Sequence, residues 1–299
     1  MAGTDPTLTV VIPTHDRHEE LEGAVESALA QTISDVEVVV VDDASARPVQ
    51  PPRHPRVRCV RLETNSGVAA ARNAGLAAAR GHWVTFLDDD NRLLPDMAAT
   101  SLAAVERASL PPPVAVVSAI DVVGEGGRLL DRRIPATHPR GDHFFLETAP
   151  SNLSHMTKDT LVAPRDLLRS VGGFDPSFPI RELSDLFLRL NPVCSIVGIP
   201  TVTTQLTRTE GPRASRDPVR LERGFWQLVE KHRPLFESHR EGYAEALLGH
   251  ARMSLVAGPR RAVVPAIARA VRVAPRHTLA IVLDPRRAAA LVRTWQSSG

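Results

Sequence analysis

Trp83-Val84-Thr85-Phe86-Leu87-Asp88-Asp89-Asp90-Asn91 carries a short apolar stretch straight into three consecutive carboxylates. The stretch has the length and the β-branched, aromatic content of a buried strand, which puts the acids at its carboxyl end. Adjacent carboxylates repel one another, and a cation between them relieves the repulsion. Magnesium and manganese take oxygen ligands and leave positions for substrate phosphates. The reading therefore expects Mn2+ or Mg2+ near Asp88, Asp89 and Asp90, in the service of a diphosphate. A solvated acidic turn is the plain alternative.

Working outward, the same strand-then-polar pattern repeats. Leu8 to Ile12 leads into Pro13-Thr14-His15-Asp16-Arg17, Val36 to Val41 into Asp42-Asp43-Ala44-Ser45, and Val57 to Leu62 toward Asn65-Ser66-Gly67. Val114 to Ile120 reads as a further strand, and helix patterns cover Glu19 to Gln31 and Val68 to Arg80. Strand and helix in alternation predict an α/β fold with a mostly parallel, Rossmann-like sheet, whose ligands bind beyond the carboxyl ends of the strands. Singly, each polar end has a plain reading: a βα turn, a helix cap by Asp43 or Ser45, an alanine-rich helix opened by Gly67. Together they would line one cleft, with Arg72 and Asn73 projecting toward its ligand. The chain has no GxGxxG fingerprint and no GK[ST] loop, so hydride-transfer and P-loop chemistry lack their signatures.

The order and spacing of these segments resemble family 2 glycosyltransferases. The resemblance runs through Val10 to Thr14, Val41 to Ser45, Asn65 to Gly75 and Phe86 to Asp90, and continues at Val171-Gly172-Gly173-Phe174-Asp175 and Asp185 to Leu190, covering roughly residues 8 to 205. It implies a GT-A fold, a uridine or thymidine diphosphate sugar as donor, a carbohydrate or small glycoside as acceptor, Mg or Mn, and inversion at the anomeric carbon. On the same basis Pro13, Thr14, Asp16 and Arg17 would line the nucleotide pocket, and Asp42 or Asp43 would bind the base or ribose. Arg72 would lie near the nucleotide or diphosphate, and Asp90 would be the principal metal ligand with Asp89 beside it. The Asp-Asp-Asn ending is similar to the spore-coat polysaccharide branch of the family.

Inverting transfer needs a carboxylate to take the proton of the acceptor hydroxyl. Many members of the family carry a Glu-Asp pair for this after the Gly-Gly-Phe-Asp segment, but here the run is Arg181-Glu182-Leu183-Ser184-Asp185, with Leu183 in the aspartate's place. Asp185 is favoured as the base because its setting is again similar to the spore-coat branch, and Glu182 is held in reserve. Three residues apart on a helix, the two share a face, so spacing does not choose between them. Surface acids paired with Arg181 or Arg189 are the plain alternative.

Composition bounds the rest. With 299 residues, 43% hydrophobic and 23% charged, the chain can bury a substantial core. A net charge of +2 does not suggest nucleic-acid binding. Cys59 and Cys194 form no CxxC pair, which fits a reducing cytoplasm. No basic leader precedes Leu8, and no apolar run approaches the roughly 18–20 residues of a spanning helix. Residues 1–220 are expected to form the catalytic domain, with 1–123 holding the donor and 124–220 facing the acceptor, and 221–299 a helical extension broken at Pro234, Gly258, Pro259, Pro275 and Pro285. Residues 252–299 hold nine arginines against one acid, Asp284. Such helices suit a cover on the catalytic domain, a homodimer contact, or peripheral contact with the inner face of a membrane. The arginines around Gly211 and Pro212, between Thr207 and Asp217, suit a lid over an anionic substrate.

Two other functions compete. A sugar-phosphate nucleotidyltransferase would use a related sheet, but it calls for a glycine-rich basic loop where Thr14-His15-Asp16-Arg17 stands. A non-catalytic nucleotide-sugar binder is suggested by the broken Glu-Asp pair.

Overall fold

The computed structural model describes residues 5–143, 146, 160–208, 217–256 and 258–284. The Thr207–Asp217 lid expectation and the arginines beyond residue 284 lie largely or wholly outside them.

The first half alternates as its hydrophobic pattern predicts. β1 (Leu8–Thr14), α1 (His18–Leu29), β2 (Val36–Asp42), β3 (Val57–Arg61), α2 (Val68–Ala78) and β4 (Trp83–Phe86) follow in order. All seven residues of β1 and of β2 are buried, as continuous β-branched runs covered on both faces should be. The helices pack on opposite faces: Val11, Val39 and Val41 meet α2, while Val10, Ile12 and Val38 meet α1. α2 lies close to the sheet because Gly75 has no side chain. A Cβ there would stand 2.2 Å from Val11 Cγ1.

The second half adds β5 (Arg92–Leu93), α3 (Met97–Glu106), β6 (Val114–Val123), β7 (Leu129–Arg133), β8 (Val162–Pro164), α4 (Arg165–Ser170), α5 (Glu182–Leu190) and β9 (Ser195–Thr207). One sheet of nine strands results, in the order β3-β2-β1-β4-β8-β6-β9-β5, with β7 beside β6. Its β3-β2-β1-β4 segment is parallel throughout, whereas β8 runs antiparallel to both β4 and β6. Parallel pairing thus holds for the first half and again between β6 and β9, while β8, β5 and β7 join antiparallel and make the sheet mixed. β9 went unread because Gly198 and Pro200 interrupt its pattern. Its pairing with β6 shifts register between Ser118 and Ile120.

α6 (Pro218–Lys231), α7 (Arg233–Ser238), α8 (Arg240–Val256), α9 (Val263–Val273) and α10 (Pro275–Leu283) follow. Pro234 and Pro275 stand in the first turns of α7 and α10, so they start helices as well as break the pattern. Phe225, Leu228, Phe236, Tyr243 and Leu247 form a core of their own that also takes in Leu188 of α5. That seating ties the helical segment to the sheet.

Candidate active site

Parallel pairing sets the site. Thr14 at the end of β1 lies beside Asp42 at the end of β2, and Leu87, just past β4, donates its backbone N–H to Val11. The polar ends of three neighbouring strands are thereby brought to one edge of the sheet, and α2 and α5 close its flank.

The three carboxylates after β4 do not converge. Asp88 accepts from Arg72 Nη2 at 2.7 Å, and its side chain is 39% exposed. Asp89 is buried, accepting from Thr14 Oγ1 at 2.7 Å and Arg17 Nη1 at 3.0 Å. Asp90 meets the same Arg17 nitrogen at 2.9 Å. Two guanidinium groups therefore offset the repulsion that the sequence reading assigned to a metal. Burial pushes the Asp89 carboxyl up to about 6 against the hydrogen bonds from Thr14 and Arg17, and the paired acids raise Arg17 above its usual range despite its own burial.

Among the described residues no three His, Cys, Asp or Glu side chains stand together as a metal cage. A divalent ion that works with diphosphate substrates keeps waters and phosphate oxygens and needs only one or two carboxylates. Asp89 and Asp90, hard oxygen donors sharing one cation, fit that requirement.

The second strand end is organised differently. Asp42 is buried and accepts from the backbone N–H groups of Ser45 and Val49 and from Arg61 Nη1. Burial would raise its carboxyl, but these bonds outweigh burial and lower it. Asp42, expected as a base or ribose ligand, is thus enclosed by its own loop. Asp43 receives the N–H groups of Ser66 and Gly67, both at 2.8 Å, and so holds the turn into α2. Gly67 needs its freedom for a φ of +85° rather than for close approach, since a Cβ there meets nothing within 4 Å. Pro13 is buried in β1. Asp16, with φ of +54°, accepts from Ala46 N at 2.7 Å and joins the first strand end to the second.

Arg72 is buried on α2 and binds Asp88 with one nitrogen and Glu182 Oε1 with the other, at 2.7 Å each. It thereby joins the α5 acid to the strand-end cluster. A narrow cavity beside this chain is lined in part by Arg72, Asp88, Asn91, Leu183 and Thr204. Asn73, expected to face the ligand, instead bonds Phe174 through both its N–H and its C=O. It braces the Gly-Gly-Phe turn.

Asp185 is where the geometry departs furthest from the sequence reading. Its side chain is 0% exposed. Oδ2 accepts two bonds from Arg189, at 3.0 and 2.7 Å, and Oδ1 faces Lys231 Nζ at 2.7 Å and His232 Nε2 at 2.8 Å. Burial opposes ionisation, but these donors outweigh it and hold the carboxyl below its usual range. Both oxygens are thus engaged, Oδ2 by Arg189 of the same helix and Oδ1 by Lys231 and His232 at the end of α6. Arg181, at φ of +76°, precedes Glu182 and is buried over the Phe225 ring at 5.6 Å. Lys231 and His232, which complete this junction, carry no motif that the sequence reading could have used.

Residues 9–166 match the family described as Glycosyl transferase family 2. The chain is 35% identical over 181 residues to the succinoglycan biosynthesis protein ExoO of Rhizobium meliloti, covering 59% of this chain and 48% of that protein. It is 31% identical over 220 residues to the O-antigen biosynthesis protein RfbC of Myxococcus xanthus, covering 70% of this chain and 16% of that one. It therefore spans about half or less of the length of these curated relatives. Residues 1–349 of S. aureus TarS in complex with UDP superpose with a TM-score of 0.63 at 18% identity, covering 98% of this chain and 89% of that one. The same TarS segment in complex with UDP-GlcNAc gives 0.61 at 17%. That likeness carries the fold, which is GT-A. With residues 9–166 of 299 inside the match, the chain belongs to glycosyl transferase family 2.

Proposed function

We propose that the chain is an inverting glycosyltransferase that moves a sugar from a uridine or thymidine diphosphate donor to the hydroxyl of a saccharide acceptor. The observation that carries this reading is the Glu182–Arg72–Asp88 chain, which sets one acid of α5 beside the acidic strand end. Relatives named for succinoglycan and O-antigen biosynthesis support a saccharide acceptor. The similarity of Asp88 to Asn91 and of Asp185 to Asn191 to the spore-coat branch is the ground for a finer placement within the family.

In this reading residues 1–123 hold the donor and 124–220 face the acceptor. Asp43 and Asp16 shape the nucleotide pocket through the loops they hold, and Asp90, with Asp89, would hold Mn2+ or Mg2+. The ion, when bound, would supply positive charge to the departing diphosphate. Arg17 then leaves its carboxylates free to meet the phosphates. Glu182 takes the proton of the acceptor hydroxyl as that oxygen attacks the anomeric carbon. The bond to the diphosphate oxygen breaks with inversion, and Arg72 holds the Glu182 carboxylate aimed.

The test is a thermal-shift screen with UDP, dTDP and GDP, with and without Mn2+, followed by transfer assays of Asp90→Asn and Glu182→Gln. Metal-dependent nucleotide binding, with turnover lost in both variants, is expected. Metal-dependent binding without turnover in the unmodified chain, across a broad acceptor panel, would favour the non-catalytic binder. Turnover intact in Glu182→Gln removes it as the base.

A further inference from the structure

α9 and α10 are amphipathic in the inverted sense. On α9 the buried residues are Ala266 and Ala270, while Val264, Ile267 and Val271 are 73%, 39% and 40% exposed. Spaced three and four apart, these three lie along one face of the helix. On α10, Thr278 and Ile281 are buried, whereas Leu279, Val282 and Leu283 are 53%, 57% and 77% exposed. Both helices pack against α8. Their outward faces therefore both point away from it; on α9 the outward side chains are larger than the buried alanines, and on α10 Leu279, Val282 and Leu283 stay outside although Ile281 is buried.

Arginine predominates around this face, although Asp284 follows α10 directly and Glu241 and Glu245 of α8 pair with His277. Residues 258–283 contain no acid, and Arg260, Arg261, Arg272 and Arg276 are exposed. Arg261 stays 82% exposed although Glu222 approaches to 3.8 Å. Arg269 alone turns inward, over the rings of Trp226 and Tyr243. A second copy of the chain is a poor occupant, because a two-fold contact through this face would bring Arg260, Arg261, Arg272 and Arg276 toward their own copies with fewer acids than arginines to offset them. Apolar residues flanked by arginine are complementary to an anionic bilayer, where acyl chains receive the former and lipid phosphates the latter. Among the described residues no helix is long and apolar enough to cross a membrane.

We propose that the outer face of α9 and α10 docks the chain on an anionic lipid surface, lying in the interface rather than spanning it.

The experiment is co-sedimentation of the full chain with vesicles of phosphatidylcholine alone and of phosphatidylcholine mixed with phosphatidylglycerol, at low and high salt. Binding to the mixed vesicles that falls with salt is expected. Since each basic residue near such a surface is worth about 1 kcal/mol, Arg272→Gln with Arg276→Gln should weaken it roughly 30-fold. Ile267→Glu with Leu283→Glu should abolish it, and both double variants, changed at exposed positions, should keep the unmodified melting temperature. Equal binding to both vesicle types overturns the proposal, as does equal binding by the unmodified chain and the variants. No sedimentation with either vesicle, the result if protein covers the face, also overturns it. In that case a concentration-dependent dimer lost in Ile267→Glu assigns the face to a second copy.

Discussion

The strand-end cluster and the junction between α5 and α6 both set carboxylates against cations, yet they do so to opposite ends. At the strand ends Asp89 is buried, but Asp88 is 39% exposed and Asp90 17%, and each of these two meets an arginine. At the junction Asp185 is 0% exposed and meets Arg189, Lys231 and His232. An acid with open surface can take up a ligand. An acid enclosed by three donor side chains works as a bolt between elements.

The largest expected effects test this contrast on α5 itself. Asp185→Ala removes one side of a buried ionic cluster and should lower stability by about 3–5 kcal/mol, read as a fall in the urea midpoint. Glu182→Gln keeps an oxygen for Arg72 and should cost under about 1 kcal/mol, while kcat falls roughly 10²–10⁴-fold as a general base is lost. If Asp185→Asn folds normally and alone abolishes turnover, the two roles are exchanged and the contrast fails.

A smaller effect should follow from Gly75→Ala. The added methyl would meet Val11 Cγ1 at 2.2 Å. Overpacking of this kind costs ~1–3 kcal/mol. Because Arg72 lies one turn earlier on the same helix, displacement of α2 should also draw it away from Asp88 and Glu182. Urea unfolding and transfer rates should then fall together, whereas a change in stability alone would show that Arg72 tolerates the shift. Asp43→Ala removes two charge-assisted bonds to the Ser66 and Gly67 N–H groups. A loss of ~1–3 kcal/mol is expected, with nucleotide affinity, measured by calorimetry, weakened through the loosened turn.

The same contrast explains what could be read beforehand. Asp88, Asp89 and Asp90 were legible as a cluster because they end a continuous apolar run, and a parallel sheet gathers such ends whatever lies between them. Their partners were not legible: Arg17 and Arg72 reach them from α1's turn and from α2, across 72 and 16 residues of chain. On α5 the limit is angular. Residues three apart differ by roughly 60° around a helix, which counts as one face for a helix with a solvent side. Here seven of the nine residues are buried, so that small rotation sends Glu182 to Arg72 and Asp185 to α6. The similarity of residues 185–190 to a family segment marked a conspicuous acid, but packing against Lys231 and His232, more than forty residues later, decided its orientation.

The smallest effect probes the edge of the junction, where Lys231 also binds Asp175 at 2.6 Å. Burial alone would raise the Asp175 carboxyl, but bonds from Lys231 and Ser177 outweigh it and bring it down from 3.8 to about 2. A carboxyl lowered on folding stabilises the native state at every pH above its unfolded value, and the contribution disappears as pH falls through the folded one. Asp175 is partly open to solvent, so screening reduces the stability at stake to about 1 kcal/mol. Asp175→Asn should therefore unfold at lower urea than the unmodified chain near neutral pH, and the two midpoints should converge between about pH 4 and pH 2. A gap that persists through that range would mean that Asp175 acts by packing rather than by charge, and would leave Lys231 committed to Asp185 alone.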